Sequence, residues 1–148
     1  MSGAGSAEHA PAGGTAEPAA AAGTAARAIA AAVRAGEVSA QAVVSAALRR
    51  IAARDAQLNC FTALVADQAL ADAARVDRAV AAGQEPGPLA GVPFAVKNLF
   101  DVAGLTTLAG SRIHAERPVA LHDAAAVAAL RRAGAVLVGA LNMDEYAF

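Results

Sequence analysis

Lysine is almost missing from this chain, and tryptophan is missing altogether. One lysine, Lys97, stands against eleven arginines, and the aromatic rings are limited to four Phe and one Tyr. So few rings leave the packing to Ala, Val, Leu and Ile, which favours close helix contacts over a few large anchors. Cysteine occurs once, as Cys60, which excludes an internal disulfide and fits a reducing compartment. No stretch approaches the roughly 20 apolar residues needed to cross a bilayer. The N-terminus lacks a basic n-region and a leucine-rich h-region. It also carries Glu8 and Glu17 without an early arginine, which argues against signal and transit peptides. A soluble cytoplasmic protein is the expectation. Neither sign of charge is in excess: a net charge of −1 and a pI near 6.3 give no electrostatic reason for a nucleic acid or an anionic membrane as partner.

The absences are uneven along the chain. Met1 to Ala26 contains no Val, Ile, Leu or aromatic residue. Such a stretch cannot bury enough apolar surface to offset the entropy of ordering, so residues 1–25 are read as a disordered tail and residues 26–148 as the folding part. About 120 residues then remain, near the usual domain size.

Within that part, Ala26 to Ala35 reads as a short helix stopped by Gly36, with Ile29 and Val33 four apart. Ser39 is placed to cap a second helix running to about Arg54, with Val44, Ala47, Leu48 and Ile51 on one stripe. Asn59 to Val65 is strand-like but too brief for its pattern to decide. Asp67 to Ala82 is a third helix, apolar at Leu70, Ala73, Val76 and Val80 and ending at Gly83. A turn-rich linker from Gly83 to Pro88 leads into the run Val92 to Val102, whose lack of polar alternation predicts a strand covered on both faces. Ala103 to Pro118 reads as a loop. Asp123 is placed to cap a helix stopped by Gly134, and Ala135 to Gly139 is a short buried strand. Asn142 and Glu145 have capping-box spacing and announce a new helix. Strand, helix, strand in this order predicts a right-handed parallel unit. Two strands do not make a stable sheet alone, so the chain is expected to continue past Phe148.

Lys97 carries the main chemical interest, because an amine can lose its proton when buried and a guanidinium cannot. One reading is a strand-end lysine that reaches water. The other is a base or Schiff-base amine buried beside Phe94, Val96 and Leu99. A lysine base near neutral pH needs its pKa brought from about 10.4 toward 7, about 4 kcal/mol of differential solvation. Asp101, four residues on, fits a turn beside Gly104. His114, His122 and Asp123 match no zinc spacing, and Asp123 is assigned to the cap. Cys60 has no basic neighbour and is read as a packed structural thiol. Ser111 follows Gly110 in a loop that could offer backbone N–H groups, although most such loops are structural. The glycine spacing matches neither a dinucleotide nor a phosphate loop, so no cofactor is implied.

The string Gly87-Pro88-Leu89-Ala90-Gly91-Val92-Pro93-Phe94-Ala95-Val96-Lys97-Asn98 is followed in order by Asp101-Val102-Ala103-Gly104-Leu105, Ala109-Gly110-Ser111, Asp123-Ala124, Leu130 to Ala135 and Asn142-Met143-Asp144-Glu145. Together these resemble the N-terminal part of the amidase signature family, over about residues 25 to 148. The resemblance implies an α/β fold with helices leading into a mixed sheet, incomplete in this chain. It also implies amide hydrolysis by a lysine, a bridging serine and a nucleophilic serine, with no cofactor. Lys97 falls on the lysine, and Asn142, Met143 and Asp144 fall near the site. Ser111 lies in the family's Gly-Ser loop and is not the nucleophile. Both family serines lie downstream of the Asn-Met-Asp-Glu motif, so this chain alone is expected to be inactive.

Ala140-Leu141 replaces the usual Lys-Thr, and Thr106-Thr107-Leu108 replaces Pro-Thr-Thr, a look closest to the carboxybiuret amidohydrolases of s-triazine breakdown. The amidase subunit of aminoacyl-tRNA amidotransferases and a general amidase are the alternatives. A non-catalytic binding module is the reading outside enzymes. The resemblance brings a small amide as substrate and leaves open a small helical partner subunit; the residues leave homo-oligomer formation open as well.

Overall fold

The computed structural model describes residues 25–148. The expected tail lies outside them apart from Ala25. Among the described residues, four helices and three strands run in the order α1 (Ala26–Arg34), α2 (Ala40–Leu58), β1 (Phe61–Leu64), α3 (Ala66–Ala81), β2 (Pro93–Lys97), α4 (Ala125–Arg132) and β3 (Val136–Leu141). Short 3-10 turns sit at Arg112–His114 and Glu145–Ala147.

The glycine stops work as the sequence predicts. After α1 the Gly36 amide donates to Val33 and the Glu37 amide to Ala32, and the same paired pattern closes α3 at Gly83 and α4 at Gly134. At the start of α2, Ser39 Oγ accepts from the Ala42 amide at 3.1 Å. The Asp77 carboxylate on α3 accepts from the next two free amides, Ala40 at 2.6 Å and Gln41 at 3.1 Å. One carboxylate thus satisfies orphan donors and fixes α2 against α3. Helix α2 runs to Leu58, past the expected Arg54, because no breaker intervenes before Asn59, which takes a left-handed conformation (φ 50°).

The sheet order is β1-β3-β2. Strands β2 and β3 are parallel, from Pro93 beside Val136 to Lys97 beside Leu141, and α4 lies between them in the chain. β1 pairs antiparallel on the other side of β3 and makes the sheet mixed, as the resemblance implies. The strand-like segment Asn59 to Val65, too brief for its pattern to decide, is thus a strand over Phe61–Leu64 and gives the parallel pair a third member.

β3 is the strand buried on both faces. Val136 and Val138 pack into a cluster with Val33, Val43, Val44, Ala73 and Val76 from the first three helices. Leu137 meets Val102 and Val127 on the other face. The run expected to be covered, Val92 to Val102, behaves differently: β2 stops at Lys97 and its residues are half-buried or exposed. Among the described residues it is an edge strand with one neighbour, and at Asn98 side-chain hydrogen bonds join those of the backbone.

Two expected caps are absent. The N-cap of α4 is Ala124, with no side-chain bond. Asp123 instead accepts from the Ala103 amide at 2.9 Å and lies 3.0 Å from Arg131 Nε, an ion pair without hydrogen-bond alignment. Arg131 also reaches Asp72, a 4% exposed carboxylate on α3 that accepts from Gln68, Arg75 and Arg131. Removing one partner of so buried a pair costs more than the pair itself contributes. Asn142 does not form the capping box either. Its Oδ1 accepts from the adjacent Met143 amide at 2.9 Å, its Nδ2 donates to Asn59, and a 3-10 turn follows.

Gly134 has φ +89°, and a Cβ there would stand 2.2 Å from the Pro86 carbonyl oxygen. Gly36 has φ +72° but open space around it. Gly134→Ala should therefore destabilise by about 3 kcal/mol or more, whereas Gly36→Ala should cost only the left-handed strain of about 1 kcal/mol. Denaturant midpoints read the difference, and equal losses would contradict the close approach at Gly134.

Candidate active site

Three separated motifs meet at the C-terminal ends of β2 and β3. Lys97 is the last residue of β2, in register with Leu141, so it lies one residue from the level of Asn142. Asn98, next in the chain, is 3% exposed and makes four hydrogen bonds. Its amide donates to Leu141 at 2.9 Å, and its carbonyl accepts from Ala109 at 2.7 Å. Its Nδ2 donates to Thr62 Oγ1 at 2.8 Å, and its Oδ1 accepts from the Leu108 amide at 2.9 Å. The Ala109-Gly110-Ser111 loop is held beside Lys97 by these bonds. The same loop touches the Asn-Met-Asp-Glu segment: the Tyr146 amide donates to Ala109, and a Cβ on Gly110 would lie 2.6 Å from the Asp144 carbonyl oxygen.

Lys97 is exposed, and among the described residues its amine has no hydrogen bond or ion pair. Of the two readings of Lys97, the strand-end lysine open to water is the one found here; Phe94 and Val96 pack into the β3 cluster instead of over it, and Leu99 is itself 43% exposed. Cys60, expected to be packed, is exposed, because it stands between the end of α2 and the outer strand β1. Ser111 is buried at 4%. Asp101 lies in the turn region as expected and accepts from Thr107 Oγ1.

Beside this junction lies a cleft of about 510 Å³ lined by Leu99, Asp101, Thr107, Ala109, His114, Arg117, Pro118, Ala120, Leu121, His122 and Tyr146. His114 is 7% exposed; its Nε2 is 3.1 Å from the Tyr146 hydroxyl, and its Nδ1 is buried without a partner. The two rings meet edge to face at 5.4 Å. His122 is exposed on the cleft wall, while Asp123 is engaged with Ala103 and Arg131. No group of three or more His, Cys, Asp or Glu side chains among the described residues could hold a metal ion. No helix there is long and apolar enough to cross a membrane. Sequence reasoning missed Asn98, Thr62 and the His114–Tyr146 pair. The first carried a signal, an amide closing an apolar run; the pair, 32 residues apart, carried none.

The motif order that converges here is matched by a family profile described as Amidase, over residues 42–148. The chain belongs to the amidase family. It is 49% identical over 114 residues to AtzE, the 1-carboxybiuret hydrolase subunit of Pseudomonas sp. (strain ADP), covering 77% of this chain and 25% of that protein. It is 47% identical over 113 residues to a glutamyl-tRNA(Gln) amidotransferase subunit of Acidothermus cellulolyticus, covering 76% of this chain and 22% of that protein. The peptide amidase of Stenotrophomonas maltophilia superposes with a TM-score of 0.77 at 36% identity, covering 88% of this chain and 26% of that one. A chain from an inhibitor-bound vestigial protein complex of an s-triazine catabolic enzyme superposes at 0.78 with 48% identity, covering 79% of this chain and 26% of that one. This amidase chain thus spans about a quarter of the length of the relatives it matches.

In this amidase chain the Tyr146 hydroxyl is, among the described residues, the one hydrogen-bond partner of the His114 ring, so Tyr146→Phe should cost about 1 kcal/mol or more. Denaturant unfolding measures it. An unchanged midpoint would mean the contact does not hold the 3-10 turn in place.

Proposed function

We propose that this chain is the lysine-bearing portion of an amide hydrolase whose two serines lie outside these 148 residues. The observation behind this is the placement of Lys97: it stands, its amine unpaired among the described residues, at the C-terminal end of a parallel strand pair, where the Gly-Ser loop and the Asn-Met-Asp-Glu segment converge. Ligands of open α/β sheets collect at that end.

In this reading neutral Lys97 takes a proton from the bridging serine, which takes one from the nucleophilic serine. The nucleophile's oxygen bonds to the amide carbon, the C–N bond breaks, and the nitrogen leaves with the returned proton. Water then releases the acyl group. Burial favours an uncharged amine, so this reading has further segments of the enzyme cover Lys97. Asn142, Met143 and Asp144 border the substrate, and the 148 residues alone hydrolyse no amide.

The substrate is a small amide of the carboxybiuret kind, a reading supported by the likeness to AtzE and to the s-triazine enzyme complex. Likeness to the glutamyl-tRNA(Gln) amidotransferase proteins supports a second reading, an amidase subunit serving a tRNA-dependent enzyme. Both point to a partner protein. A cytoplasmic location rests on the lone cysteine. Activity on carboxybiuret without tRNA would favour the first reading over the second.

In the polypeptide as its host makes it, Lys97→Ala should lower turnover by roughly 10²- to 10⁴-fold. Lys97→Arg should do nearly as much harm, because a guanidinium cannot accept the proton. Steady-state kinetics decide it, and an Arg variant with most of its activity would refute the base role.

A further inference from the structure

We propose that Asn98 is a positioning residue for Lys97, an assignment that rests on the amide-hydrolase reading above. The Lys97 amine has no hydrogen-bond or ion-pair partner among the described residues, so no polar contact sets where it stands. What is fixed is its root. The next residue is buried and tied by four hydrogen bonds to three separate segments: Thr62 on β1, Leu141 at the end of β3, and Leu108 and Ala109 in the loop leading to Gly110 and Ser111.

The chemistry of the side chain matters. An amide offers a donor and an acceptor from one carbon, and the two groups it faces are of opposite kinds. Leu108 presents an N–H. Thr62 Oγ1 presents a lone pair, since its own proton goes toward the Ala140 carbonyl at 3.2 Å. Alanine would satisfy neither, leaving the part-buried Leu108 N–H without its acceptor and the Thr62 oxygen without its donor. The bonds reach both the outer strand and the Gly-Ser loop, so they set the direction in which Lys97 leaves the sheet and its distance from that loop. An error of about 1 Å in such a placement can cost roughly 100-fold in rate.

The test compares variants of the polypeptide as its host makes it, assayed below their melting temperatures. Asn98→Ala should lower kcat roughly 100-fold while KM stays within about threefold. Thr62→Val, which removes one of the four bonds, should show the same pattern at about tenfold. Asn98→Asp still accepts from Leu108 and can accept the Thr62 proton once that hydroxyl turns, so it should recover kcat to within about tenfold of the parent. A folded Asn98→Ala protein with kcat within about threefold of the parent would overturn the proposal, as would a loss confined to KM or an Asp variant no better than Ala. If Asn98→Ala does not fold, unchanged kcat in Thr62→Val overturns it. Lys97→Ala separates the two levels: an inactive Lys97→Ala beside a fully active Asn98→Ala refutes the positioning role alone, whereas an active Lys97→Ala refutes the base reading and the positioning with it.

Discussion

The pairing of β2 with β3 is the constraint on which the rest of this structure depends. A parallel pair cannot be closed by a tight turn; it needs a long crossover, here the loop and helix between Lys97 and Val136. The inner strand, β3, also needs cover on both faces, because a strand so placed has no side left for water. β3 receives that cover from α1–α3 on one face and from Val102 and Val127 on the other. Fully burying side chains such as Val136 and Leu137 contributes roughly 1.5–3 kcal/mol each. With alanine so abundant in the helices, these branched residues supply much of the core's bulk.

The site follows from where those two strands end. Parallel strands bring their C-terminal ends to one edge of the sheet, so the residues that follow β2 and β3 must share space. Lys97, the Gly-Ser loop and the Asn142 segment are far apart in the chain and adjacent there for that reason. The join is polar where the sheet is apolar. Buried Asn98, with Thr62 at its side, links three segments within one small region, and each link has its partner, which makes the region specific and intolerant of loss. Asp72 and Asp77 do similar work among the helices, the first through arginines and the second through free helix amides.

Local rules written into single residues are readable from the sequence. Gly36, Gly83 and Gly134 end their helices because the left-handed residue that closes a helix is cheapest as glycine, and Ser39 caps α2. The parallel pair is readable from a helix between two apolar runs, and the motif order carries the family. Long-range choices are not readable. Asp123 has cap spacing but is drawn off by Arg131 and the Ala103 amide, the second of them 20 residues away. Asn142 has capping-box spacing, yet its amide donates to Cys60 and its side chain to Asn59, both set by the sheet's register. The apolar run Val92 to Val102 leaves open whether Lys97 ends a strand or lies within it, and it cannot tell an edge strand from a covered one. Burial is a property of neighbours, and β1 is too short to show which edge it occupies.

The central claim is that Lys97 serves serines that this chain does not itself contain. Labelling the natural polypeptide with a serine-directed fluorophosphonate, then mapping the adduct by mass spectrometry, tests that claim most directly. The account predicts one modified serine, located outside the segment described here, and loss of labelling when Lys97 is replaced by alanine. An adduct on Ser111, or labelling that survives the loss of Lys97, would contradict it.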